Sequence, residues 1–93
     1  MEEFELYDDR QLIEGCQDNN RRYQEILYRK YAKKMYATCL SYAHDRASAQ
    51  DILQEGFIKV FKHIKDFEHK GSLEGWIRKI VVNTALDHLR KKQ

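Results

Sequence analysis

The chain has 93 residues, 42% apolar and 34% charged, so it fits one globular domain with a modest core and leaves no room for a second. Its formal net charge of +2 is unevenly distributed, since residues 1–20 hold seven acids against one base and residues 21–46 hold seven bases against two acids. No apolar run approaches the roughly 18 residues of a membrane span, and the acidic N-terminus is unlike a signal peptide, so we expect an intracellular protein.

Apolar residues recur at spacings of three and four, which predicts an all-α fold, a compact bundle of about four helices. The absence of Pro and the presence of only four Gly leave few breaks within these periodic segments. Each predicted helix follows a side chain that can cap free N–H groups, namely Asp8 or Asp9, Asn20, Asp45 and Ser72. The predicted helices cover residues 8–17, 21–43, 47–65 and 73–92.

The sequence carries no signature of an enzyme. A Gly-rich phosphate loop, a zinc-binding pair of histidines with a Glu, and a Gly-x-Ser-x-Gly turn are all missing. Cys16 and Cys39 are too few for a disulfide framework and lack metal-like partners at close spacing, so we assign them no redox role. A metal between His63 and His69 stays open, but ordinary surface roles are favoured. We therefore predict a binding protein without catalytic residues, cofactor or metal.

One face of the third predicted helix combines polar side chains with an aliphatic one. Asp51, Gln54 and Glu55 lie at i, i+3 and i+4, so they share a face. Ile58 lies about one turn further on and off the apolar stripe. A surface on which another helix docks has this composition, whereas acids near a helix N-terminus also favour the helix dipole without any partner. A partner surface and a merely solvated face both stay open on the pattern alone, since single exposed apolar residues are common.

The loop before the last helix, and that helix itself, place aromatic residues beside cations. Phe67 is a candidate stacking face near Lys70, and bases stack on aromatic rings with about 1–3 kcal/mol each. Trp76 falls on the apolar stripe and is expected in the core. Asn83 lies one turn after Lys79 on the polar side, where its amide can both donate to and accept from a base edge. This pattern favours single-stranded nucleic acid.

Two motifs, in this order, carry a family resemblance. The first, Asp-x-x-Gln-Glu followed by Phe, spans Asp51 to Phe57. The second, Ser-x-x-x-Trp-Ile-x-x-Ile-x-x-Asn-x-x-x-Asp-x-x-Arg, spans Ser72 to Arg90. With them, the chain from Leu12 onward resembles region 2, the σ2 domain, of the extracytoplasmic-function (ECF) group of bacterial sigma factors in the sigma-70 family.

The resemblance implies a four-helix domain that binds RNA polymerase and recognises and helps melt the promoter minus-ten element in the bacterial cytoplasm. Its implied partners are the clamp helices of the polymerase β′ subunit and the non-template single strand, and relatives are often held by an anti-sigma factor. The implied polymerase-binding residues are Asp51, Gln54, Glu55 and Ile58. The implied DNA-binding residues are Phe67, His69, Lys70, Gly71, Ser72, Arg78, Lys79, Asn83 and Asp87.

Relatives normally have a second helical domain, σ4, which reads the minus-thirty-five element. This chain ends at Gln93, where the linker to that domain would begin, so we interpret residues 1–93 as a single region 2 domain without σ4. The alternative from another class is a helical protein-interaction or scaffold domain whose basic surface is only solvated. A duplex-reading helix-turn-helix regulator fits poorly, because that fold needs two short helices around a tight turn.

Overall fold

The protein is described by a computed structural model in which residues 3–91 are placed. These residues form helices joined by short turns, without a strand among them, and the predicted all-α bundle of four helices is confirmed. The α-helices are α1 (Asp9–Gln17), α2 (Arg21–Tyr42), α3 (Arg46–His63) and α4 (Leu73–Lys91). Short 3-10 helices precede α1 at Glu3–Leu6 and follow α3 at Ile64–Asp66. The predicted last residue of α4, at position 92, lies outside the described part.

The start of α1 shows which of two candidate side chains is the cap. The Asp8 carboxylate accepts from the Gln11 backbone N–H at 2.8 Å, and the Gln11 side chain accepts from the Asp8 backbone N–H at 2.9 Å, which is a capping box. Asp9 instead accepts from Lys30 at 2.6 Å and from the Tyr31 hydroxyl at 2.7 Å. Asp8 therefore starts α1, and Asp9 ties α1 to α2.

The predicted caps of the next two helices are also present. The Asn20 side chain accepts from the backbone N–H of Arg22 at 2.9 Å, and Asp45 accepts from that of Ser48 at 2.7 Å. Each such cap contributes about 1 kcal/mol to helix stability. Because Asp45 is the cap, α3 begins at Arg46 and is already in its second turn when it reaches the acidic motif.

The core lies where α2, α3 and α4 meet and is closed by α1. It consists of apolar side chains from all four helices, and burying one large aliphatic side chain stabilises the fold by about 1.5–3 kcal/mol. The largest fully buried side chains are Leu12, Ile26, Leu27, Met35, Ile52, Ile64, Ile77, Val60, Val81, Thr84, Cys16 and Cys39. Trp76, which was expected in the core, is only partly buried and packs at its rim.

Two glycines in this bundle lie where a neighbouring helix approaches closely. A Cβ on Gly15 would lie 2.2 Å from the ring of Tyr23, so α1 and α2 could not pack as they do. A Cβ on Gly56 would lie 3.2 Å from a methyl carbon of Val81. Gly56 thus lets α3 and α4 lie close together, which fixes the relative placement of the two helices that carry the candidate surfaces.

The loop between the second 3-10 helix and α4 is held at both ends. At its start, the Gln17 side-chain amide donates to the carbonyl of Ile64 at 3.0 Å. At its end, the Ser72 hydroxyl accepts from the Gly75 backbone N–H at 3.0 Å, so the predicted cap of α4 is present. Between them, His69 and Gly71 adopt left-handed backbone with φ of 61° and 75°. Within residues 3–91, no helix is both long and apolar enough to cross a membrane.

Candidate functional site

The first candidate surface lies on α3 and is called the docking face, formed by Asp51, Gln54 and Ile58. All three side chains are exposed, and their spacing of three and four places them on one stripe. Ile58 is 67% exposed, whereas a large aliphatic residue of this bundle is normally buried in the core. The docking face therefore offers an apolar side chain flanked by a carboxylate and an amide.

The structure removes the interpretation of Asp51 as a helix-dipole residue. The first turn of α3 contains no acidic residue, because the helix begins at Arg46. The dipole acts mainly within the first turn, so it contributes little at position 51. The helix dipole therefore does not account for Asp51, and docking of a partner on this face stays a prediction.

Glu55, expected on the same face, is turned toward α4. Its carboxylate lies 2.5 Å from Nε2 of His88, and the Glu55 and His88 side chains are 42% and 27% exposed. Gln54 remains on the docking face but donates to the Tyr28 hydroxyl of α2 at 3.1 Å. The Tyr28 ring packs edge-on against Phe57 at 4.9 Å, which fixes that hydroxyl. Gln54 of the docking face thus contacts α2, and the adjacent Glu55 contacts α4.

The second candidate surface is a depression beside α4, called the α4 depression. It is lined by Trp76, Lys79, Ile80 and Asn83 of α4 and by His63 and Asp66, from the end of α3 and the following 3-10 helix. Lys79 and Asn83 are exposed, and the structure of residues 3–91 shows no side-chain hydrogen bond or ion pair for either. A free cation and a free amide therefore stand beside a partly exposed indole.

His63 and Asp66 were missed as members of this site. Both lie outside the two sequence motifs, and His63 was considered only for a metal shared with His69. Residues 3–91 contain no group of three His, Cys, Asp or Glu side chains able to hold a metal ion. The packing of α3 and the following 3-10 helix against α4 places His63 and Asp66 on the same depression as Asn83. No local sequence signal predicts that arrangement.

The expectation of a free stacking face on Phe67 is wrong. Phe67 is only 7% exposed, and its ring packs edge-on against Trp76 at 5.2 Å and against His69 at 5.4 Å. The Phe67 ring is thus a packing partner of the Trp76 indole. A base has no access to the Phe67 ring, whereas Trp76 is partly exposed and lines the α4 depression.

The remaining predicted loop residues are all exposed. They are His69, Lys70, Gly71 and Ser72, and they lie between the buried Phe67 and the start of α4. Lys70 forms an exposed ion pair with Glu68 at 3.2 Å, and such pairs contribute little to stability. The backbone and side chains of this segment are therefore accessible to a ligand.

Two predicted DNA-binding residues of α4 are engaged elsewhere. The Arg78 guanidinium donates to the Thr38 hydroxyl at 3.2 Å and to Glu74 at 3.0 Å, which joins α4 to α2. Hydrogen bonds from Lys34 and Arg78 hold the pKa of the Glu74 carboxyl below its usual value. The Asp87 carboxylate lies 4.0 Å from Lys59 and 3.4 Å from Arg90. The structure therefore does not bring Arg78 and Asp87 together with Lys79 and Asn83 in the depression.

The basic excess of α2 is mostly matched by nearby acids. Four of its cations pair with carboxylates, namely Arg22 with Glu3, Arg29 with Glu25, Lys30 with Asp9, and Lys34 with Glu74. In contrast, Lys62, Lys65 and Lys79 are exposed, and the described structure gives none of them an ion pair. Exposed cations without an ion pair in the described structure therefore lie at the end of α3, in the following 3-10 helix and on α4, and not only on the more basic α2.

Comparisons with known proteins show the family to which this chain belongs. Residues 27–93 match the Sigma-70 region 2 family. The RNA polymerase sigma-H factor of Pseudomonas aeruginosa is 35% identical over 87% of this chain and 42% of its own length. The ECF RNA polymerase sigma factor SigE of Mycolicibacterium smegmatis is 32% identical over 71% of this chain and 25% of its own length. The chain thus spans less than half the length of these curated relatives.

A solved structure has the same architecture. An engineered region 2 of sigmaE, determined by NMR in complex with GTAAAA, matches with a TM-score of 0.87 and 26% identity, over 99% of this chain and 94% of that one. The resemblance to region 2 of the ECF sigma factors is therefore confirmed, and the chain belongs to the Sigma-70 region 2 family.

Proposed function

We propose that this domain acts in transcription initiation in the bacterial cytoplasm, binding core RNA polymerase through the docking face on α3 and the non-template strand of the promoter minus-ten element through the α4 depression and the preceding loop. The domain itself carries out no chemical step. The polymerase element that we expect on the docking face is the pair of clamp helices of the β′ subunit. An anti-sigma factor as a further partner stays a prediction.

The observation that carries this proposal is the presence of two accessible surfaces of different chemistry on adjacent helices. The docking face has an aliphatic residue between polar ones, as in the centre of a protein interface. The α4 depression has a free cation, a free amide and a partly exposed indole, which are the groups that hold a phosphate, read a base edge and contact a base face. The engineered region 2 of sigmaE, which shares this fold, was solved with GTAAAA.

The α4 depression suits an unpaired base better than a duplex groove. Its polar groups line an open depression between the end of α3 and α4, whereas a duplex reader presents a convex helix to the major groove. Removing a base from a duplex costs a few kcal/mol, and stacking recovers about 1–3 kcal/mol for each base. A site of this kind therefore favours DNA that is already melted and helps to keep it open.

The proposal is tested by comparing strands and partners. We expect a labelled GTAAAA-containing single strand to bind more tightly than its duplex in fluorescence anisotropy, with affinity falling as salt rises. We also expect the chain to retain core RNA polymerase in a pull-down. If the chain retained polymerase but neither the chain nor its complex with polymerase bound DNA, the result would support a protein-interaction domain instead. Preference for the duplex would point to a groove reader instead.

A further inference from the structure

The Glu55 and His88 side chains join α3 and α4, the two helices that carry the candidate surfaces. Glu55 lies on α3 next to Gln54 of the docking face, and its carboxylate meets Nε2 of His88 on α4 at 2.5 Å. Both side chains are partly buried, so the contact is shielded more than a surface ion pair. The two residues are 33 positions apart in the sequence.

Further contacts between α3 and α4 lie beside this pair. One turn along α3, Lys59 donates to the Thr84 hydroxyl at 3.3 Å and lies 4.0 Å from Asp87, the residue before His88. Gly56, the residue after Glu55, packs against Val81. These contacts also join α3 and α4 beside the pair, and His88 is the one side chain to which the described structure joins the Glu55 carboxylate.

We propose that His88 is a positioning residue for polymerase binding, which holds the Glu55 carboxylate at the border of the docking face in one conformation. This inference rests on the proposed function. A carboxylate offers about four acceptor sites, and His88 uses one of them, so Glu55 remains able to accept hydrogen bonds from a cationic side chain of the partner. His88 thus contributes to the polymerase surface from the DNA-facing helix.

The expected effect follows from side-chain order. Without His88, Glu55 has freely rotating side-chain bonds that the partner must immobilise on binding. Ordering a flexible side chain at an interface weakens the affinity by roughly twofold to tenfold. The Lys79 and Asn83 side chains do not contact His88, so DNA binding does not share this loss.

The test uses three replacements of His88 in the whole chain. Gln places its amide nitrogen as many bonds from Cα as Nε2 of the imidazole, whereas Asn places it one bond short. We expect His88→Ala and His88→Asn to weaken binding of a β′ clamp-helix fragment by roughly twofold to tenfold. We expect His88→Gln to retain most of the affinity. Binding of the GTAAAA strand, measured on the same samples, is expected to change little in all three variants.

Two further results separate the inference from the proposed function. If Ile58→Ala weakens binding of the fragment and His88→Ala does not, the positioning role is refuted and the docking face stands. If neither Ile58→Ala nor His88→Ala changes the affinity for the fragment, both the positioning role and the docking face are refuted. Equal losses in the Gln and Ala variants would also refute a hydrogen-bond role. Thermal unfolding of each variant reports instability, which would weaken polymerase and DNA binding together.

Discussion

Replacement of Ile58 by Ala tests the docking face with the smallest structural change. Ile58 is 67% exposed, so truncation removes little from the core, and we expect the free energy of unfolding to stay within about 0.5 kcal/mol of the parent value. Complete burial of an Ile side chain stabilises a complex by about 1.5–3 kcal/mol. About two thirds of that, or roughly 1–2 kcal/mol, is available when a partner covers the exposed part.

This free energy corresponds to a roughly fivefold to thirtyfold weaker Kd for core polymerase or a β′ clamp-helix fragment. Isothermal titration calorimetry or anisotropy with a labelled fragment measures it directly. The matched control is Leu6→Ala, because Leu6 is 65% exposed but lies in the 3-10 helix before α1. If the two variants bound equally well, the docking face would be misplaced.

Three further predictions concern DNA binding, packing and thiol chemistry. Lys79→Ala should lower the slope of log K against log salt by about 0.7 for single strands, whereas Asn83→Ala should reduce base preference and leave that slope unchanged. Gly15→Ala should cost about 1–3 kcal/mol in urea unfolding, because the added methyl overlaps the Tyr23 side chain between α1 and α2. Burial raises the pKa of Cys16 and Cys39 to about 11, so both should resist alkylation at pH 8 until the chain unfolds.

Each of these three would fail in a recognisable way. A Lys79 variant with an unchanged salt slope would place the phosphate contact elsewhere, and equal losses on all sequences would remove the readout role of Asn83. Unchanged unfolding of the Gly15 variant would show that α1 and α2 can shift apart without cost. For the thiols, the folded state keeps its protons to higher pH than the unfolded chain, so stability should fall as pH rises from about 9 toward 11. Constant stability over that range would contradict it.

The sequence predicts features that depend on neighbours along the chain. Asn20, Asp45 and Ser72 cap helices because a short polar side chain reaches only the next few backbone N–H groups. Helical spacing likewise places Ile58 outside the core, since it lies off the stripe that α3 buries. Such features need no knowledge of which helices touch.

Features that depend on packing between distant segments could not be predicted in this way. The Phe67 ring is covered by Trp76, and the Glu55 carboxylate meets His88. In both cases the sequence shows which side chain is present, but not which side chain of a distant segment it contacts. The motif Asp-x-x-Gln-Glu therefore predicts residues on one face of α3. Only the folded structure shows that the Glu55 carboxylate contacts α4.

The central claim is that one small domain holds polymerase and single-stranded DNA at the same time on two different faces. The most direct measurement adds a β′ clamp-helix fragment to the chain already bound to a labelled GTAAAA strand and follows the anisotropy of the label. The two-face arrangement predicts a further rise, because a larger ternary complex forms. Release of the strand, or no change at fragment concentrations that bind the free chain, would contradict it.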